Sequence, residues 1–157
     1  MGLHESAGDE RFSCLRKRSQ GSGRGTAEIE FGDQFTPLLF DVTDAAAVNR
    51  AAKETAAALG NATLAGLVNN AGIAVAGPLL HLDIDELRHQ LEVNVTGQLI
   101  VTQAFASLLG ADSSRSGEPG RIVMITSVGG RNANPFMGPY NASKLRWKDC
   151  RSHCGGS

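Results

Sequence analysis

Tyr140 and Lys144 stand four residues apart in the stretch "PYNASK", with only small polar residues between them. On a helix, positions i and i+4 share one face, so this spacing brings a phenol beside an ammonium. A free phenol is a poor base near neutrality. An ammonium a few ångströms away favours its ionised form, and a phenol so tuned can exchange a proton with an alcohol or a carbonyl. Ser127 closes the apolar run "RIVMITS" and offers a hydroxyl at what would be a strand end. Asn94 falls within the helical recurrence of Leu87, Leu91, Val95 and Leu99, which aims its amide at the core. A buried amide left without partners costs about 1–3 kcal/mol, so Asn94 must be hydrogen-bonded. Taken singly, each of these residues also fits a plainer part: a surface pair, a loop serine, a satisfied core amide.

Groups of this kind need a scaffold, and the chain supplies alternating elements. "FTPLLFDVTD" is a short apolar run with a polar corner, which predicts a strand over about Pro37 to Phe40. Asp44 can cap the next segment, where Val48, Ala51, Ala52, Thr55 and Leu59 recur at helical spacing and Gly60 provides a left-handed stop. "LAGLVNNAG" reads as a buried strand ending in Asn and Gly, and "DELRHQLEVNVTGQLIVTQAFASLLG" as a helix of about six turns closed by Gly110. Gly97 inside that helix points to a close contact or a bend. "RIVMITS" reads as a third buried strand, and "YNASKLRWK" opens a third helix. The order strand, helix, strand, helix, strand, helix implies a parallel sheet with helices on its faces.

Four signals now stand in sequence order: "NNAG" at 69–72, Asn94 in "NVTG", Ser127 in "ITS", and "YNASK" with Tyr140 and Lys144. Together with "DVTD" at 41–44 they resemble the short-chain dehydrogenase/reductase family over about residues 28–144. The resemblance implies a Rossmann-like, doubly wound α/β fold. It also implies NAD or NADP as cofactor and hydride transfer between nicotinamide and a small-molecule ketone or secondary alcohol. It makes Tyr140 the general acid/base, and Lys144 both its neighbour and a donor to the nicotinamide ribose. Ser127 would polarise the substrate oxygen, and Asn94 would hold a water in the relay to Lys144. Asp41 and Val42 would lie near adenine, and Asn69, Asn70, Ala71 and Gly72 would shape the floor of the cofactor pocket.

The pattern is also broken. The family's glycine-rich turn lets a backbone approach the pyrophosphate at a helix N-terminus. The one glycine cluster, "GSGRG" at 21–25, has different spacing and follows no predicted strand. In the strand order 3-2-1-4-5-6, the strand near Leu38 is the third and "LAGLV" the fourth. Two central strands are therefore expected to be lacking, a gap of roughly 14 Å at a strand spacing of about 4.8 Å. Residues 1–27 read as a flexible arm, residues 28–144 as a partial dinucleotide-binding domain, and residues 145–157 as a divergent tail in place of the C-terminal strands. NAD cannot be told from NADP, since the end of the second strand carries that choice. A chain of this kind is expected to be truncated and weakly active or inactive. The alternative is a non-catalytic fragment that associates with full-length relatives, or with itself, through the 87–109 helix.

Composition excludes other classes. The 157 residues carry 15 Lys and Arg against 16 Asp and Glu, a balance that argues against a nucleic-acid partner. No apolar run nears the ~20 residues of a membrane span, and no secretory leader is recognisable, which predicts a cytoplasmic protein without a membrane partner. Three cysteines make no disulfide framework, and Cys150, His153 and Cys154, bunched together, are too few and too close for a metal site.

Overall fold

The computed structural model describes residues 12–16 and 35–150. Two strands, β1 (Phe12–Arg16) and β2 (Phe35–Leu39), pair in parallel, with Phe12 opposite Phe35 and Arg16 opposite Leu39. Helix α1 (Ala45–Leu59) follows, then β3 (Gly66–Asn69). Next comes one continuous helical run made of α2 (Ile84–Leu91), a π-helical turn (Glu92–Thr96), α3 (Gly97–Phe105) and a 3₁₀ turn (Ala106–Leu109). Strand β4 (Arg121–Met124) pairs in parallel with β3, and α4 (Gly138–Cys150) closes the described chain. The expected α/β order with parallel strands is therefore present.

Local chemistry explains most boundaries. Asp44 accepts the backbone N–H of Ala47 at 3.0 Å, which satisfies an orphan donor at the start of α1. Val48, Ala51, Ala52 and Thr55 form the buried face of α1, at the spacing the sequence predicts. Gly60 ends the helix at φ +60°, and Gly110 ends the long run at φ +99°, conformations that cost glycine little. The core gathers Leu38, Phe40, Val42, Val48, Leu67, Val93, Val101, Phe105 and Leu108 between α1, α3 and the strands.

The structure corrects four expectations. The arm expected over 1–27 contains β1; the rest of that stretch, including "GSGRG", lies outside the described residues. Five residues flanked by polar sequence leave too short a run for periodicity to detect. The strands form two separate two-stranded parallel sheets, β1 with β2 and β3 with β4, so the expected break between the strand near Leu38 and the strand at "LAGLV" is present among the described residues. Helix α4, expected to open at "YNASKLRWK", runs to Cys150 across the boundary drawn at residue 144 between domain and tail.

The third correction concerns the long helix. Leu91 and Leu99 are exposed, and the buried line is instead Gln90, Asn94, Gln98, Val101, Phe105 and Leu108. Asn94 does face inward, but among amides rather than leucines. Last, β4 is not buried: Ile122 and Val123 are 39% and 47% exposed. Val68 on β3 and Leu39 on β2 are exposed as well, so apolar sheet surface stands uncovered among the described residues. No described helix is long and apolar enough to cross a membrane.

A candidate dinucleotide and proton-transfer site

The candidate site lies beyond the carboxyl ends of β2, β3 and β4, where parallel sheets bind ligands. After β2, the Asp41 carboxylate accepts from Thr43 N at 2.9 Å and from Thr43 Oγ1 at 2.8 Å, which shapes the corner leading to the Asp44 cap. Val42 packs on Gly97 so closely that a Cβ there would fall 2.8 Å from Val42 Cγ2 and 3.1 Å from Val42 O. That contact answers why a glycine stands inside the helix. It also brings the corner after β2 against the turn after β3: Val42, Asn69, Asn70, Ala71 and Gln98 line one shallow cleft.

Asn69, expected on the pocket floor, turns its side chain into the protein. Its Nδ2 donates to Thr102 Oγ1 at 2.8 Å and to Met124 Sδ at 3.1 Å, joining β3 to α3 and β4. Asn70 is exposed at the cleft. Gly72 is also exposed, and a Cβ there would sit 3.2 Å from Asn94 Oδ1 and 3.3 Å from Lys144 Nζ. The missing side chain thus leaves a small space bounded by an amide oxygen and an ammonium.

Asn94 occupies the π turn, in which Gly97 N bonds back to Glu92 O. Such turns interrupt α-helical register and often accompany functional sites. Its amide is fully buried and satisfied: Oδ1 accepts from Ile73 N at 2.8 Å, and Nδ2 donates to Ile73 O at 2.8 Å and to Ser143 Oγ at 3.0 Å. Ser143 in turn donates to Tyr140 O at 2.8 Å, tying the first turn of α4 to the π turn. Lys144 is buried as well; its Nζ donates to Ile125 O at 3.2 Å and stands 5.9 Å from the centroid of the Tyr140 ring.

Ser127 and Tyr140 meet through a glycine turn. The Ser127 hydroxyl accepts from Gly129 N at 3.1 Å and keeps its own O–H as a donor. Gly129 carries the Tyr140 ring: a Cβ there would lie 3.2 Å from Tyr140 Cε1. A Cβ on Gly130 would lie 2.9 Å from Lys144 O, so two successive glycines allow α4 to seat its first turns on the turn after β4. Asn141 locks this seat, with its amide nitrogen toward Gly129 O at 3.1 Å and its oxygen toward Asn134 N at 2.9 Å.

The structure therefore brings together Gly72, Asn94, Tyr140 and Lys144, sets Ser127 at the turn under the Tyr140 ring, and gathers Val42, Asn69, Asn70 and Ala71 around the adjoining cleft. Sequence reasoning missed Gln90, Gln98 and Ser143. The signal for the two glutamines was their spacing of four from Asn94, which repeats one amide type along one helix face. Among the described residues no glycine-rich turn joins a strand to a helix, so no cradle for a pyrophosphate is seen.

Parallel strand pairs with flanking helices, and a Tyr/Lys pair beyond the end of β4, are the arrangement of a Rossmann-like α/β fold. Over residues 7–149 the chain matches the short chain dehydrogenase family, and it belongs to that family. The match extends the resemblance over β1 and most of α4. An NADPH-dependent 3-dehydrocapnine reductase of Ornithobacterium rhinotracheale is 41% identical over 133 residues, covering 85% of this chain and 46% of that protein. A gluconate 5-dehydrogenase from Burkholderia cenocepacia J2315, solved with NADP and tartrate, is 31% identical with a TM-score of 0.66, covering 82% of this chain and 49% of that one. A short-chain dehydrogenase from Streptomyces avermitilis superposes with a TM-score of 0.70 at 25% identity, covering 82% of this chain and 45% of that one. The chain spans about half the length of the relatives it matches.

Proposed function

We propose that this site serves reversible hydride transfer between a nicotinamide cofactor and a small ketone or secondary alcohol. The observation that carries the reading is the convergence of Lys144 Nζ, Asn94 Oδ1 and the bare backbone of Gly72 at one small space, with the Tyr140 ring beside the ammonium. A bound nicotinamide would supply the hydride for reduction, or accept it for oxidation. Tyr140 gives its phenolic proton to the substrate oxygen as that oxygen gains charge, and takes it back in the reverse direction. Ser127 donates its O–H to the same oxygen. Lys144, held by Ile125 O, keeps its donor beside the Tyr140 ring. Asn94 fixes the floor of the space through Ile73 and Ser143, in reach of a relay to Lys144.

NADP is the favoured cofactor. In this reading β1, the parallel neighbour of β2, takes the place of the second strand, and it closes on Arg16, followed in sequence by Lys17 and Arg18. An arginine at this edge accommodates a 2′-phosphate, whereas an acidic residue selects the bare ribose. The NADPH dependence of the O. rhinotracheale relative agrees with this choice. Turnover of this chain by itself is expected to be weak, because apolar surface on β4 stands open to water. The test mixes the chain with an equal concentration of NADPH and a panel of ketones and follows cofactor absorbance. Slow oxidation that disappears in Tyr140→Phe supports the reading; oxidation indifferent to that change contradicts it.

A second reading concerns association. Leu91 and Leu99 are exposed on the same long helix, with Val95 half-buried between them, an apolar face that could seat a second copy or a full-length relative. Light scattering would report a dimer that Leu91→Glu with Leu99→Glu reduces to a monomer; a monomeric parent chain that also fails to capture a relative contradicts it.

A further inference from the structure

Three amides of one helical run meet three alternate residues of one extended segment. Gln90, Asn94 and Gln98 are spaced by four, and each is buried. Gln90 Oε1 accepts from Val75 N at 2.6 Å, Asn94 bonds both N and O of Ile73, and Gln98 Nε2 donates to Ala71 O. The register has a geometric cause. Four helical residues advance about 6 Å and two extended residues about 6.6 Å, so amides at every fourth position keep step with backbone at every second. Residues 71–75 belong to no strand, and these side chains replace the ladder that a neighbouring strand would provide.

We propose that Gln90 and Gln98 are positioning residues of the hydride-transfer site, clamping residues 71–75 so that Gly72 stays opposite Asn94 and Lys144; this rests on the function proposed above. Gly72 sits between Ala71, held by Gln98, and Ile73, held by Asn94. A slip of one residue along the helix would bring the side chain of Ala71 or Ile73 to the place where a Cβ already falls 3.2 Å from Asn94 Oδ1 and 3.3 Å from Lys144 Nζ. The clamp therefore excludes any register but the one that leaves the space open. Gln90 supports this use in a second way. Its Nε2 is buried with no hydrogen bond among the described residues, a cost that leucine of similar volume would not incur, so what glutamine contributes is its acceptor for Val75 N.

The two ends of the ladder do different work. Gln98 borders the cleft with Asn70 and Ala71, whereas Gln90 holds the far end of the segment. The test measures amide hydrogen exchange and steady-state kinetics on Gln90→Leu, Gln90→Glu and Gln98→Leu in the full chain. In Gln90→Leu, exchange at Val75 should rise about tenfold, the loss of one hydrogen bond, and kcat should fall with little change in the KM for NADPH. Gln90→Glu, which keeps the acceptor, should restore Val75 protection, and Gln98→Leu should raise the KM for NADPH. Unchanged exchange at Val75, or a rise spread equally through α1 and β3, overturns the clamp. Exchange is read without cofactor or substrate, so a localised rise supports the clamp even if the parent chain reduces no carbonyl, an outcome that would count against the hydride-transfer reading alone.

Discussion

The Lys144 ammonium lies 5.9 Å from the centroid of the Tyr140 ring, while its Nζ donates to Ile125 O at the end of β4. One side chain is thus fixed by the strand and presented to the phenol. Lys144→Met keeps the stem and removes both the charge and the donor. Turnover should fall by about 10²-fold or more, the usual worth of a positioned proton-transfer group. Lys144→Arg should not restore it, because the wider guanidinium does not fit beside Gly72 and Asn94. Recovery of activity in the arginine variant would show that charge alone suffices.

Gly72→Ala tests the small space directly. The added methyl meets Asn94 Oδ1 at 3.2 Å and Lys144 Nζ at 3.3 Å, so one of them must give way. Activity should drop by about tenfold, while the thermal midpoint moves by only a few degrees, since overpacking at one methyl costs about 1 kcal/mol. Equal activity in the alanine variant would remove Gly72 from the site.

Gly130→Ala attacks the same geometry from the opposite side. Its Cβ would fall 2.9 Å from Lys144 O, a backbone atom that cannot swing aside. Helix α4 must shift, and Tyr140 and Lys144 shift with it. Loss of activity together with destabilisation of about 1–3 kcal/mol is expected in a denaturant titration.

Asp44→Ala removes the cap of α1, where Asp44 accepts from Ala47 N. Stability should fall by about 1 kcal/mol with the cofactor KM unchanged. An altered KM would mean that the corner after β2 senses the cap.

Among the described residues, the Asp112 carboxyl is held in an acid range below the ordinary one. Hydrogen bonds from Ser114, first from its hydroxyl and then from its N–H, hold the carboxyl below the ordinary aspartate range, with Arg115 adding in the same direction. A depressed folded value contributes stability above the unfolded value, and that contribution is lost as pH falls through the folded one. In Ser114→Ala the Asp112 titration followed by NMR should move upward; no movement would contradict this origin.

How much of this was legible in the residues differs from element to element. Helix α1 was readable from its cap, its apolar spacing and its closing glycine, because local chemistry decides all three. Tyr140 and Lys144 were readable because helical geometry alone sets i against i+4. The buried face of the long helix was not, since apolar periodicity selects leucines and misses amides whose burial depends on an extended partner distant in sequence. Likewise "RIVMI" reads as a buried strand, yet whether its faces are covered depends on elements that a local run does not encode. Strand β1 was hidden by its shortness and its charged neighbours.

The central claim is that Tyr140 delivers the proton that accompanies hydride transfer. The most direct measurement uses the chain at a concentration equal to deuterium-labelled NADPH, incubates it with a ketone and analyses the alcohol by mass spectrometry. The account predicts deuterium at the carbinol carbon with the parent chain and none above background with Tyr140→Phe. Deuterated alcohol formed equally by both, or by neither, would contradict it.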